Sequence, residues 1–156
     1  MRNTVIPPRR TTRESAAKSD TGTSSATDVR VLVADDQQLF RAAVRDIVAA
    51  TPGFTIVGEA ASGEEAILSV EAIRPELVLM DVRMPGIGGC RATKILVDHH
   101  PEVVVWLVTA EAATALPGIA GSCGAAGVAD KRALTPRVLR EFWEGRGRQD
   151  VPAHAL

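Results

Sequence analysis

Five short apolar runs, each followed by a helix-length segment with apolar residues at helical spacing, predict an α/β fold: five βα repeats wound into an open, doubly wound parallel sheet. Two of the runs, Leu77–Met80 and Val103–Val108, are unbroken, as expected of strands buried on both faces. The 156 residues are 46% apolar and 24% charged, which suits one ordinary domain with a single sizeable core.

The elements follow in order. Val29–Ala34 is the first strand. Phe40, Ala43, Val44, Ile47 and Val48 then recur at helical spacing over about Gln37–Ala50, and Thr51-Pro52-Gly53 stops that helix. Phe54–Glu59 is the second strand. Ser62 is a fitting N-cap for a helix through Ile73, and Glu65, three residues on, completes a capping box. Arg74-Pro75 ends it. Leu77–Met80 leads to Asp81, and the turn Met84-Pro85-Gly86 with Gly88-Gly89 separates that strand from a third helix over about Cys90–His99. Val103–Val108 ends at Thr109. The Ala-rich segment after Glu111 is a poor helix, broken by Pro117-Gly118 and loosened by Gly121, Gly124 and Gly127. Val128-Ala129 is a short fifth strand before Asp130-Lys131. Thr135 as N-cap and Pro136 at the first helical position open the last helix, which runs to about Glu144 and is stopped by Gly145 and Gly147.

Three segments result: a basic tail over residues 1–27, a folded unit over 28–145 and a short tail over 146–156. The first is rich in Ser, Thr, Arg and Pro without apolar period, so it is expected to be disordered, as is the last. Net charge is −1. The N-terminal tail carries a surplus of three positive charges and the C-terminal tail one, which leaves the folded unit at −5. An acidic unit argues against nucleic acid as a partner, and the basic arm lacks aromatic residues on which bases could stack. Two cysteines, Cys90 and Cys123, are too few for a disulfide framework and read as two small buried thiols in a reducing compartment. No apolar run reaches the about 18 residues of a membrane span, and the N-terminus has no signal-peptide core, so a cytoplasmic protein is expected. An organelle transit peptide fits less well, given Glu14, Asp20 and Pro7-Pro8.

Open parallel sheets bind ligands beyond the carboxyl ends of their strands. Those ends carry Asp35-Asp36, Asp81, Thr109 and Lys131. In strand order 2-1-3-4-5, the first and third strands are neighbours at the switch point, which brings three carboxylates into one crevice. At 4 Å each pair would repel by about 4 kcal/mol at an effective dielectric of about 20, so a cation is required. Hard oxygen ligands suit Mg²⁺. With Lys131 and Thr109 as donors to oxygens, the site is prepared for a phosphoryl group, and Asp81, on the central strand, is the natural nucleophile. Blander readings compete. Asp36 could merely cap the first helix, Lys131 could be a surface lysine, His99-His100 more simply ends the third helix than binds metal, and nothing marks Cys90 as an activated thiol. Gly121, Gly124 and Gly127 do not sit between a strand and a helix, so they form no dinucleotide loop.

The segments Val33-Ala34-Asp35-Asp36, Asp81-Val82-Arg83-Met84-Pro85-Gly86, Val108-Thr109-Ala110 and Gly127-Val128-Ala129-Asp130-Lys131 together resemble the receiver domain of two-component response regulators. Gln38-Leu39-Phe40-Arg41 and Val57-Gly58-Glu59-Ala60 look most like receivers that carry a LuxR-type helix-turn-helix output. The resemblance spans roughly Val29 to Glu144 and implies a flavodoxin-like fold. It implies that Asp81 accepts a phosphoryl group from a histidine kinase or phosphotransfer protein. It further implies that Asp36 binds Mg²⁺ directly and Asp35 through water, with Asp81 and the backbone carbonyl of Arg83 as further ligands. Lys131 and the Thr109 hydroxyl would hold the phosphoryl oxygens. Arg83 and Glu111, two beyond the acceptor and two beyond the threonine, would flank the path of attacking water and could close it by pairing.

Two departures from the family stand out. Val128 replaces the Tyr or Phe usual three residues before the lysine, so the threonine-aromatic relay has no ring. Pro117-Gly118 interrupts a helix commonly used for dimerisation. About a dozen residues follow the last helix, too few for a helix-turn-helix, so a single-domain regulator acting through an unknown downstream protein is expected. A pseudo-receiver that binds partners without switching is the alternative. A phosphatase built on Asp81 fits poorly, because Arg83 stands where a second acid would be wanted.

Overall fold

A computed structural model describes residues 27–111 and 118–146. The chain runs β1 (Val29–Ala34), α1 (Gln38–Ala49), β2 (Phe54–Ala60), α2 (Gly63–Ile73), β3 (Leu77–Asp81), α3 (Gly88–His99), β4 (Val104–Thr109), α4 (Ile119–Cys123), β5 (Gly127–Asp130) and α5 (Pro136–Gly145). All strands are parallel, in the order β2-β1-β3-β4-β5. This is the doubly wound, flavodoxin-like sheet expected, with β1 and β3 adjacent at the switch point.

The pleat divides the apolar residues between two layers. Val31, Val33, Leu77, Leu79 and Trp106 face α1 and α5, where Val44, Val48 and Leu139 meet them. Leu32, Ala34, Val78, Met80 and Leu107 face the opposite way, against Ala66 and Val70 of α2, Ala92 and Leu96 of α3, and Cys123 of α4. Because both faces are covered, β1 and β3 are apolar almost throughout, which leaves their carboxyl ends as the place where polar residues begin.

Capping follows the sequence with one change. Ser62 Oγ accepts the Glu65 amide at 3.1 Å, but the Glu65 carboxylate takes the Ala61 amide, at 3.0 Å, instead of that of Ser62. Thr135 Oγ1 accepts the Val138 amide with Pro136 in the first turn. Arg74 ends α2 in the left-handed region at φ +56°, and the Arg30 guanidinium of β1 reaches its carbonyl at 2.6 Å and that of Ile73 at 2.7 Å. A basic side chain there satisfies carbonyls that the helix itself cannot.

Some boundaries differ from expectation. α3 begins at Gly88 rather than Cys90. Gly89 sits so close to the end of β3 that a Cβ on it would lie 1.8 Å from the Asp81 carbonyl oxygen, so the glycines belong to the helix start, not to a linker. A 3₁₀ turn, Lys131–Ala133, separates β5 from α5. Gly145 lies inside α5, one residue past the expected helix end at Glu144, and Arg146, placed over the Trp143 ring at 3.5 Å, caps it. α4 is five residues long, between Gly118 and Gly124, both at positive φ; Pro117 and the two tails, apart from Thr27 and Arg146, lie outside the described residues.

Trp106 stacks on Phe142 with ring centroids 3.9 Å apart, which fixes α5 to the sheet. Cys123 is buried but Cys90 only half-buried, and no disulfide joins them. Burial pushes the Cys123 thiol up to about 11, which keeps it protonated and unreactive. No described helix is long and apolar enough to cross a membrane.

Candidate functional site

The sheet places its polar strand ends side by side. Ala34 pairs with Met80, Asp81 with Val108, and Thr109 with Asp130, so the residues following β1, those ending β3 and β4, and Lys131 just after β5 share one edge. They line a cleft of about 230 Å³ formed by Asp36, Gln37, Asp81, Arg83, Thr109, Ala110, Glu111 and Lys131. A larger hollow of about 680 Å³ opens beside Val103–Val105 and Ala125-Ala126, before β4 and β5, and its charged residues are only Glu144 and Arg146.

Asp35 is fully buried and held on three sides. Its amide donates to the Ala60 carbonyl at 2.9 Å, its carbonyl accepts from Arg41 at 2.6 Å, and its Oδ1 accepts the Gln37 amide at 2.8 Å. Asp36 does not cap α1, whose N-cap residue is Gln37 and has no side-chain cap. Asp36 is exposed beside Asp35. Ligand oxygens of Asp35, Asp36 and Asp81 lie within 4.8 Å of one another.

Lys131 is drawn into this cluster. Its Nζ lies 2.5 Å from Asp35 Oδ2 and 3.4 Å from Asp81 Oδ2, with its side chain packed over the Phe40 ring at 4.5 Å. The contact with Asp35 is electrostatic. Asp35 Oδ2 is buried, and Lys131 compensates its charge without the alignment of a hydrogen bond. One ammonium thus faces two buried carboxylates, with a third beside them. A hard divalent cation suits this all-oxygen set and would give Asp35 Oδ2 the well-aligned partner that Lys131 does not supply.

Asp81 is 4% exposed, and its carboxyl is pushed up to about 6. Burial is the main cause, and the neighbouring Asp35 charge adds to it; Lys131 and the Arg83 amide, 3.4 Å from Oδ1, oppose both. Thr109, also buried, accepts the Glu111 amide on Oγ1 at 3.1 Å, which fixes its oxygen at the end of β4. Across the cleft Arg83 and Glu111 form an ion pair of 2.5 Å.

The residues picked from the sequence for this site therefore come together: Asp36, Asp81, Arg83, Thr109 and Lys131 line the cleft, and the fully buried Asp35 joins them through Lys131 and the clustered carboxylates. Three were missed. In the sequence Phe40 reads only as part of a helix face, yet it is the platform for Lys131; Gln37 and Arg41 hold Asp35. Phe40 and Arg41 lie 91 and 6 residues from their partners, and no local pattern marks such pairings. His99 does end α3, its Nδ1 2.9 Å from the Ile95 carbonyl oxygen.

Residues 31–142 match the model of the response regulator receiver domain. Response regulator GacA of Pseudomonas protegens is 43% identical over 105 residues, 67% of this chain and 49% of that protein. Response regulator UvrY of Escherichia coli K12 is 36% identical over 121 residues, 76% of this chain and 56% of its own. This chain thus spans about half the length of these relatives. Among solved structures, the receiver domain of the putative response regulator NarL from Mycobacterium tuberculosis superposes with a TM-score of 0.70 at 29% identity, covering 77% of this chain and 97% of that one. The response regulator domain of Thermotoga maritima CheB gives 0.68 at 26%, with the same coverage.

Proposed function

The chain belongs to the response regulator receiver domain family of two-component signalling, and from that premise we propose that Asp81 accepts a phosphoryl group from the phosphohistidine of a histidine kinase or phosphotransfer protein, in a magnesium-dependent reaction in the cytoplasm. The receiver then signals through protein–protein contacts. The observation that carries this reading is the position of Asp81: a buried carboxylate at the end of the central strand, grouped with Asp35 and Asp36 and 3.4 Å from the Lys131 ammonium.

In the proposed reaction an Asp81 carboxylate oxygen forms the new bond to phosphorus. The bond from phosphorus to the donor nitrogen breaks and its electron pair returns to the ring, which departs as neutral imidazole because its other nitrogen already carries a proton. Asp35, Asp36, Asp81 and the backbone carbonyl of Arg83 would hold Mg²⁺. When bound, the ion neutralises charge on the phosphoryl oxygens. Lys131 is placed to donate to an oxygen of a group on Asp81, and the Thr109 hydroxyl, whose oxygen already accepts the Glu111 amide, has its own hydrogen to donate. The protein catalyses only its own phosphorylation and dephosphorylation.

The test is incubation with acetyl phosphate and Mg²⁺ followed by intact mass. A single phosphoryl adduct that Asp81→Asn abolishes is expected; an adduct that persists in this variant would move the acceptor elsewhere. Val128 favours a second reading, a pseudo-receiver that binds partners without switching. The same adduct without any change in hydrogen exchange would support it.

A further inference from the structure

Glu64 stands in the first turn of α2 but makes its bond on another helix. Its Oε1 accepts the backbone N–H of Ile87 at 3.1 Å. Ile87 is the N-cap residue of α3, so a carboxylate from α2 takes the amide at the point where the loop enters that helix and places negative charge at its N-terminus. Fit around this bond is close. Gly86 adopts φ +83°, and a Cβ there would stand 2.4 Å from Glu64 Oε1 and 2.7 Å from Oε2. Gly63, beside Glu64, lies against the same loop, where a Cβ would be 2.9 Å from Ile87 Cγ1.

The loop from Val82 to Ile87 is therefore tied at both ends. Toward β3, the Gly89 amide donates to the Val82 carbonyl at 3.0 Å, and Gly89 packs directly on the Asp81 backbone. Toward α2, the tie is Glu64. Between them lies Arg83, with its amide directed to Asp81 and its side chain paired with Glu111.

We propose that Glu64 is a positioning residue for the Mg²⁺ site, holding the Met84–Ile87 turn against α2 and thereby setting the Arg83 backbone carbonyl relative to Asp81. This rests on the reading of the Asp81 cleft as a magnesium-dependent acceptor site. A loop that spends only part of its time in the binding arrangement raises the apparent dissociation constant by the inverse of that fraction. A hydrogen bond from a backbone amide to a carboxylate is strong enough for its loss to weaken binding by about threefold to tenfold.

Calorimetric titration of the full chain with MgCl₂, alongside metal-free melting, tests this. Glu64→Ala is expected to weaken Mg²⁺ binding by about threefold to tenfold. Glu64→Gln, which keeps an acceptor oxygen but loses the charge, should stay within about twofold of wild type. Gly86→Ala should weaken binding as Glu64→Ala does, and the double variant by less than the product of the two effects. Unchanged affinity in Glu64→Ala overturns the proposal, even with a lowered melting temperature, since that is what a merely structural contact would produce. Equal losses in Glu64→Gln and Glu64→Ala also overturn it, because the effect would then be one of charge. Asp36→Ala separates the two levels. If wild type binds Mg²⁺ and Asp36→Ala does not, a normal Glu64→Ala removes only the role of Glu64; if wild type binds none, the acceptor reading and this one fall together.

Discussion

Arg83 and Glu111 meet at 2.5 Å across the acidic cleft, one from the loop after β3 and the other from the residues after β4. Both side chains are substantially exposed, at 71% and 39%, so the pair contributes little to stability. Its expected role is kinetic, in covering the path by which water reaches a phosphoryl group on Asp81. Arg83→Ala or Glu111→Ala should therefore speed loss of the adduct. Because an exposed pair is worth under about 1 kcal/mol, the gain should be no more than about fivefold, and the double variant should add nothing further. Decay of the purified phosphoprotein, followed by intact mass, reads this. Unchanged rates in both single variants would remove the gate.

Mg²⁺ binding should depend on pH through Asp81. Its carboxyl, raised to about 6 in the metal-free site from an ordinary value of 3.8, is protonated in the folded chain where the unfolded chain is already ionised. This group's contribution to stability is thus greatest below the ordinary carboxylate range and is lost as pH rises through about 6. A cation must displace that proton, so affinity should fall by about tenfold for each pH unit below this point. Calorimetry in two buffers of different ionisation enthalpy should show proton release near about pH 5 and none near about pH 7.5.

The metal should also stabilise the fold, since three carboxylates cluster where Lys131 pairs with only two of them, Asp35 and Asp81. At 100 times its dissociation constant a ligand bound only to the native state adds about 2.7 kcal/mol, or roughly 10 °C in Tm for a domain of this size. Asp36→Ala should blunt that response while leaving the metal-free protein no less stable, because it removes a repulsive charge. A wild-type melt unmoved by saturating Mg²⁺ would contradict the metal site.

Some of this was legible in the residues alone. The apolar run of β3 ends at Asp81 and that of β1 just before Asp35, because burial on both sheet faces leaves polar chemistry only at strand ends, and an apolar run shows where it stops. Thr135-Pro136 marked a helix start for a similar local reason. Contacts made by side chains across the sequence left no such trace. Glu64 reads as an ordinary acid in a helical first turn, although its partner is the Ile87 amide 23 residues on. Arg30 reads as a charge interrupting a strand, although it closes the end of α2.

Arg30 gives a contrast that separates fold from site. Removing its guanidinium leaves the part-buried Ile73 carbonyl and the exposed Arg74 carbonyl to water, so Arg30→Ala should lower stability by about 0.5–1.5 kcal/mol in urea unfolding. It lies at the opposite end of β1 from Asp35. Mg²⁺ affinity and phosphorylation of the folded variant should therefore match wild type. A loss of affinity would show that the strain of an uncapped α2 reaches the cleft.

The readout of phosphorylation should be confined to the loops around Asp81. Val128 has no ring to rotate, and it packs partly buried against the layer that contains Val105 and Leu107. Lys131 is anchored independently, by two carboxylates and the Phe40 ring, so its approach to a phosphoryl group need not carry β5 along. The groups with a new partner to gain are the Thr109 hydroxyl and the loop that begins with Arg83. A ligand shifts a population only by its differential affinity for two states, and without an aromatic latch the β5 side has little to distinguish them. Hydrogen exchange with and without beryllofluoride should thus change over Met84–Gly89 and the residues just after Thr109, with little over Val128–Leu134 and little dimerisation in sedimentation. Protection centred on Val128–Leu134, or a dimer that forms only with the mimic, would mean that another side chain has taken over the latch.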